Sequence, residues 1–379
     1  MAKILLIPEF SSYGGTFTYF KDVINFYYSL KYEVTVVLKK EQLNQEVIEL
    51  INKCKYIYFI SPEVKKFFKK FKPKFVFTSL FDFFSLLPFY FKIKPDITVV
   101  STGTSGNLLS LIFLPSKFFY VLHTCPIKSK RTFFIRLLLK LNLGKRKKIL
   151  TVSEFSKKEI IKVWGLLKKE EYINVIYNTS SIKEKSEKIF KNEEIKSIEK
   201  IKILTVGHLR WYKNPLLWIE VAKIINNSVS SEKVEFVWAG DGELLKECRN
   251  LVKNLDLNNV KFIGFQKEIE DIINSCDIYF QPSIIENFSM CVLDAMRLGK
   301  SCVVSEVGGL PEAVKNNETG YVVGMNNKKE MAEKIVLLIK DDNLRLDIGK
   351  AGNNRFENYF SYGIWYEKMI KFHENLLKN

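Results

Sequence analysis

The segment from Gln281 to Val323, QPSIIENFSMCVLDAMRLGKSCVVSEVGGLPEAVKNNETGYVV, restricts the fold more than any other part of the chain. It starts at the end of a short apolar run, Ile278 to Gln281, which Pro282-Ser283 and a loop carrying Glu286 interrupt. Val292, Leu293, Ala295, Met296 and Leu298 then recur at helical spacing, and Gly299 marks the stop. A second apolar run, Ser301 to Ser305, comes at once, and Gly308-Gly309 allows a tight turn before Leu310-Pro311-Glu312 opens another helix. Strand, helix and strand in this order predict a parallel crossover, a unit that belongs to sheets covered on both faces.

The predicted helix start near Ser289 presents unpaired N–H groups and a partial positive charge to the strand ends, which suits a diphosphate. Glu286 and Asp294 stand eight residues apart, the first on the loop and the second inside the helix. Two carboxylates facing one cleft repel phosphate, so sugar hydroxyls, which donate to carboxylate oxygens, are their better partner. On spacing alone the pair serves equally well as a cap and a solvated helix position.

The N-terminal half alternates β-rich runs with stretches long enough for crossover helices. Candidate strands are Ile4 to Ile7, Val34 to Leu38, Ile57 to Ile60, Phe75 to Thr78, Ile97 to Val100, Phe118 to Leu122, Ile149 to Val152 and Val175 to Tyr177. This predicts an α/β doubly wound parallel sheet. The first turn, residues 11–16, holds Gly14-Gly15, which is either a plain tight turn or a place where a ligand approaches the backbone. His123 comes just after the strand ending at Leu122, at the carboxyl end where sites of such sheets form. Asn178 reads as a turn former.

Residues 181–200 are dense in charge and poor in apolar side chains, and we place a linker there, between domains at 1–180 and 201–360. The second domain restarts with Ile201 to Val206, then Gly207-His208-Leu209-Arg210-Trp211-Tyr212-Lys213. Val234 to Gly240 is the next strand, with Asp241 expected to cap a helix, and Val260 to Gly264 the one after. Three helical stretches succeed Gly320, the last from Tyr362 to Lys378.

Taken together, these residues resemble the signature of the retaining family-4 glycosyltransferases: P-S-x-x-E-G-F-G, L-E-A-M-A-x-G-x-P-V-V, G-G-x-P-E and G-x-x-G. Pro282, Ser283, Glu286, Phe288, Leu293, Ala295, Met296, Gly299, Val303, Val304, Gly308, Gly309, Pro311, Glu312 and Gly320 carry the match. Asn287 and Ser289 replace glycines, Asp294 replaces the second Glu of the E-x7-E pair, and His208 occupies the usual arginine position. The resemblance implies a GT-B fold of two Rossmann-like domains facing across a cleft, with residues 361–379 crossing back to the first. It implies that Gly14, Gly15, Gly207, His208, Arg210, Lys213, Phe265, Asn287, Phe288 and Ser289 meet the donor, with Phe265 near the base. It also implies that Glu286 holds the donor sugar, Asp294 the ribose, that His123 faces the sugar, and that Lys213 is the principal diphosphate cation.

The activity that the resemblance implies is metal-independent, retaining transfer of a hexose from a UDP- or GDP-sugar to a saccharide or lipid-linked acceptor, in cell-surface polysaccharide assembly. No cofactor or metal is expected. The departures at His208 and Asp294 motivate an alternative, a non-catalytic homologue acting as partner subunit or glycan-binding protein.

The chain has 59 Lys and Arg against 42 Asp and Glu, a net charge of +17. Such a balance fits nucleic acid, an anionic membrane or an anionic small molecule. Nucleic acid is not expected, because no recognition helix or aromatic platform accompanies the charge. The six cysteines are scattered without Cys-x-x-Cys, which argues against a zinc site or disulfide framework and fits a reducing cytosol. Neither a signal peptide nor a membrane-spanning run is expected. From Ile97 to Ser153 there is no Asp or Glu, and within it cations from Lys128 to Lys148 surround an apolar helix. That stretch reads either as a peripheral contact with the inner face of the plasma membrane or as an ordinary helix with a solvated charged face.

Overall fold

The computed structural model describes residues 2–10, 14–39, 42–52, 54, 56–60, 74–102, 109–126, 128, 132–180 and 200–378. The chain divides into two compact units, Met1–Tyr177 with Trp365–Asn379, and Asn178–Ile364. The predicted linker at 181–200 lies, except for its last residue, outside the described residues.

The first unit is built on seven parallel strands: β1 (Lys3–Pro8), β2 (Glu33–Lys39), β3 (Tyr56–Ile60), β4 (Ile97–Thr102), β5 (Lys117–Leu122), β6 (Lys147–Thr151) and β7 (Ile173–Val175). Their order in the sheet is β3-β2-β1-β4-β5-β6-β7. β1, β4 and β5 are buried along nearly their whole length, which is why they read as unbroken apolar runs without alternation. The order reverses between β1 and β4, where Ile4 is in register with Val34 on one side and Ile97 on the other.

One expected strand is absent. Phe75-Val76-Phe77-Thr78 belongs to the helix Lys74–Ile93. Its β-branched and aromatic residues carry strand propensity, but they open twenty residues of nearly continuous apolar sequence. A short apolar run cannot be assigned by periodicity alone, and length decides for helix.

The final helix, Tyr362–Lys378, contributes Trp365, Met369, Phe372, His373 and Leu376 to buried positions. His373 is 2% exposed; its Nε2 lies 2.8 Å from the Tyr27 hydroxyl and its Nδ1 2.7 Å from the Met369 carbonyl. Phe119 of β5 stacks edge-on against both Phe372 and His373, with centroids 5.0 and 5.3 Å away.

The second unit holds six parallel strands: β8 (Ile201–Val206), β9 (Val234–Ala239), β10 (Val260–Gly264), β11 (Ile278–Gln281), β12 (Ser301–Ser305) and β13 (Tyr321–Val323). They are ordered β10-β9-β8-β11-β12-β13. The crossover read from the sequence is present as β11, the helix Met290–Arg297 and β12. β13 was not expected, being three residues long and too short to show a pattern. Trp218 on the helix Pro215–Asn226 packs edge-on against Phe236 and Trp238 of β9 at 5.8 and 5.4 Å, all three fully buried. Asp241 does not cap a helix: the next one starts only at Leu245, and Asp241 accepts the Gly242 amide at 2.7 Å instead. Among the described residues no helix is long and apolar enough to cross a membrane.

Burial lowers the His373 imidazole to about 4, against the weaker opposing pull of the Met369 carbonyl. The folded state therefore holds it neutral, whereas the unfolded chain protonates it below about 6.5. Stability is lost as pH falls from about 6.5 towards 4, by on the order of 1 kcal/mol per pH unit. Urea titrations at pH 7, 6, 5 and 4 are expected to show at least this slope, and H373Q to remove the His373 share of it.

Candidate functional site

The strand order of the second sheet reverses between β8 and β11, so the loops leaving these adjacent strands open beside one another. The first ends in a single 3-10 turn, Trp211–Lys213, and the second carries Glu286. A backbone hydrogen bond ties them, the Ile284 N–H donating to the Tyr212 carbonyl at 2.8 Å.

Lys213 Nζ and Glu286 Oε2 form a hydrogen-bonded ion pair, with side chains 15% and 16% exposed. Burial disfavours the Lys213 charge, but the Glu286 carboxylate outweighs it and the ammonium pKa is raised. Gln281 Nε2 donates to the same Oε2 at 2.8 Å, and Gln281 Oε1 accepts from Ser289 Oγ at 3.0 Å. Among the described residues no donor reaches Glu286 Oε1. A carboxylate fixed at one oxygen is a directed acceptor for hydroxyl donors.

Gly308 makes this loop possible. It has φ 58, and a Cβ there would lie 1.5 Å from the Glu286 carbonyl oxygen. The neighbouring Gly309 donates its N–H to that carbonyl at 3.3 Å. The glycines read as a tight turn thus also fix the main chain of the key carboxylate.

Ser289 caps the helix Met290–Arg297 by accepting from the Val292 N–H at 3.4 Å. Asn287 and Phe288 are buried, and the Phe288 ring packs on Phe360 at 5.5 Å, so Phe288 serves the core. Phe265 is 54% exposed on the loop after β10. The Gly207 carbonyl accepts from Trp238 Nε1 at 2.8 Å, and its Cα faces the Lys213 methylenes. Arg210 and His208 are exposed, and His208 is lowered in pKa by partial burial of the ring and then by the Arg210 and Lys213 charges.

Asp294 is placed differently from Glu286. Its Oδ1 accepts from the Ser180 hydroxyl, and Arg297 Nε donates to the same Ser180 oxygen at 2.9 Å. Arg297, 2% exposed, also pairs with Glu270 at 3.2 Å. The Asp294 carboxyl is raised, by burial first, with Ser180 and Arg297 opposing. The residue expected to meet a ribose is therefore already engaged by the segment that precedes residues 181–199. Sequence reasoning missed Ser180 and Gln281. Gln281 was recoverable as a polar residue ending an apolar strand, whereas nothing local marks Ser180, which is 114 residues from its partner.

In the first unit, Gly14 has φ 116 and precedes the helix Gly15–Ser29; a Cβ there would meet nothing within 4 Å. Residues 11–13 of that turn lie outside the described residues. His123 Nε2 is 2.9 Å from Ser101 Oγ, its ring meets Tyr19 edge-on at 4.6 Å, and burial lowers it to about 4. It is thus a neutral imidazole at the carboxyl end of β5. Beside it Glu9, not singled out from the sequence, accepts from Thr102 Oγ1 at 2.6 Å and pairs with Lys39 at 2.9 Å.

Two α/β units with doubly wound parallel sheets, each with its polar cluster at the carboxyl ends of the strands, define the GT-B glycosyltransferase class of fold. Residues 185–355 match the family described as Glycosyl transferases group 1. Over 198 residues the chain is 30% identical to N,N'-diacetylbacillosaminyl-diphospho-undecaprenol alpha-1,3-N-acetylgalactosaminyltransferase of Campylobacter jejuni, covering 52% of this chain and 50% of that protein. Over 159 residues it is 31% identical to UDP-Gal:alpha-D-GlcNAc-diphosphoundecaprenol alpha-1,3-galactosyltransferase of Escherichia coli, covering 41% of each. The matches thus span half or less of these relatives. Among solved structures, Anabaena Alr3699/HepE in complex with UDP and glucose superposes with TM-score 0.71 at 17% identity, covering 99% of this chain and 100% of that one.

Ser180→Ala strands the Asp294 carboxylate and Arg297 Nε without their shared hydroxyl. Thermal or urea unfolding is expected to show a loss of about 1–3 kcal/mol. A variant as stable as wild type would show that the contact is dispensable to the fold.

Proposed function

We propose that the protein transfers a hexose from a nucleotide-diphosphate sugar to a hydroxyl of a saccharide or lipid-linked saccharide, with retention and without a metal. The observation that carries this reading is the Glu286 carboxylate, fixed on Oε2 by Lys213 and Gln281 at the switch point of the second sheet. The family match over residues 185–355 and the printed activities of the two relatives support it.

In this reading Glu286 Oε1 accepts hydroxyl hydrogen bonds of the donor sugar and sets its orientation. Lys213 and Arg210, with the N–H groups at the Ser289 helix start, neutralise the diphosphate as it leaves. A leaving phosphate oxygen takes the acceptor proton, so no separate protein base is demanded. UDP is the first donor nucleotide to test, since a structural neighbour was solved with it. Work on a lipid-linked acceptor would make the chain a peripheral protein of the inner membrane face.

Thermal shifts with UDP and GDP, then with their common sugars, identify the nucleotide. With the donor that binds, Glu286→Ala is expected to lower transfer by on the order of 100- to 1000-fold while leaving the circular dichroism spectrum unchanged. Wild-type turnover by this variant overturns the assignment.

A further inference from the structure

The sequence of the helix Thr132–Asn142 leaves two readings open, a membrane contact or a solvated charged face. Ile135 and Leu139 face the core, as a four-residue spacing requires. Directly opposite them the surface carries Leu137, flanked by Phe133 and Leu141, with Phe134 to one side. These four are 46%, 69%, 74% and 52% exposed. Arg136 and Lys140 run along the other edge of that outward face, and Lys145 and Arg146 come in the next turn, all exposed. The helix thus shows water an apolar ridge bordered by cations, not a charged face.

Two elements next to this helix also expose aromatic side chains. The turn Leu109–Phe113 packs against both this helix and the helix Lys74–Ile93, and all three elements send residues into one core cluster, among them Leu86, Ile112 and Ile135. Their outward sides add Phe84, Phe91 and Phe113, at 62%, 61% and 46% exposure. An exposed apolar area of this extent, on three packed elements, marks a surface that meets an apolar partner. The charge selects which partner: from Ile97 to Ser153 there are ten Lys and Arg and no Asp or Glu. A protein partner would need to match both a bare aromatic layer and a cationic border, whereas the headgroup layer of an anionic bilayer supplies acyl chains and phosphates in that order.

We propose that this face enters the headgroup layer of an anionic membrane, Leu137, Phe133 and Leu141 inserting and Arg136, Lys140, Lys145 and Arg146 resting on lipid phosphates. Insertion, rather than charge contact alone, separates this from simple electrostatic adhesion. It is independent of the transferase reading and is measured without any sugar donor.

The test is flotation of the full chain with vesicles of phosphatidylcholine alone or with about 30% phosphatidylglycerol, at about 0.05 and 0.5 M salt. The chain is expected to bind the anionic vesicles and to keep part of that binding at high salt. The combined variant F133S/L137S/L141S is expected to bind about tenfold or more weakly at both salts, and R136E/K140E to lose chiefly the salt-sensitive part. All substituted side chains are exposed, so both variants should melt like wild type. As a second reading, Leu137→Trp is expected to shift its emission to the blue on adding anionic vesicles and not on adding phosphatidylcholine. Absence of binding to anionic vesicles, binding abolished entirely by salt, or wild-type binding by the serine variant overturns the proposal. So does a dimer in sedimentation that the serine variant dissociates, since a second copy would then own the face.

Discussion

Strands β8 and β11 run side by side, yet the chain continues from β8 to β9 on one side and from β11 to β12 on the other. Right-handed crossovers then place the connecting helices on opposite faces, which opens a crevice between them at the carboxyl ends. Everything distinctive in the second unit uses that gap. The Lys213 turn and the Glu286 loop enter it from its two sides, and a buried ion pair with a shared glutamine holds them together. Breaking either half would leave an uncompensated charge in a poorly hydrated place, which is why the pair also stiffens two loops that secondary structure does not hold.

Most of the architecture could be read from the residues because parallel strands buried on both faces must be apolar throughout. β8, β11 and β12 were legible to the residue for that reason, as was Ser289 as a cap ahead of a helical apolar period. The failures have equally physical causes. Phe75 to Thr78 carries strand-forming side chains in what is a long helix, and a four-residue window contains no information on length. β13 is three residues and gains its place by pairing with β12. Within the site, Glu286 and Lys213 were legible as types of chemistry, but the contact between Ser180 and Asp294 joins residues far apart in the chain and has no local signature.

Polarity is distributed unevenly around the two sets of strand ends. In the second unit charge is concentrated and paired: Lys213 with Glu286, Arg297 with Glu270. In the first unit the Glu9–Lys39 pair is accompanied by groups that burial keeps uncharged, His123 and His373, neutral imidazoles among aromatic rings. Cys291, near the ion pair, is pushed to about 12 by burial and then by Asp294, so its thiol is inert despite its position.

The first unit is completed by residues encoded after the second: Trp365 onwards clusters with it, and His373 and Phe372 sit against Tyr27 and Phe119. A ribosome adding on the order of 5–20 residues per second releases the rest of that unit long before these side chains exist. During synthesis the second unit can therefore close first, although it is encoded second. The first must wait, with an aromatic slot open, until the residues that follow the second unit have been made.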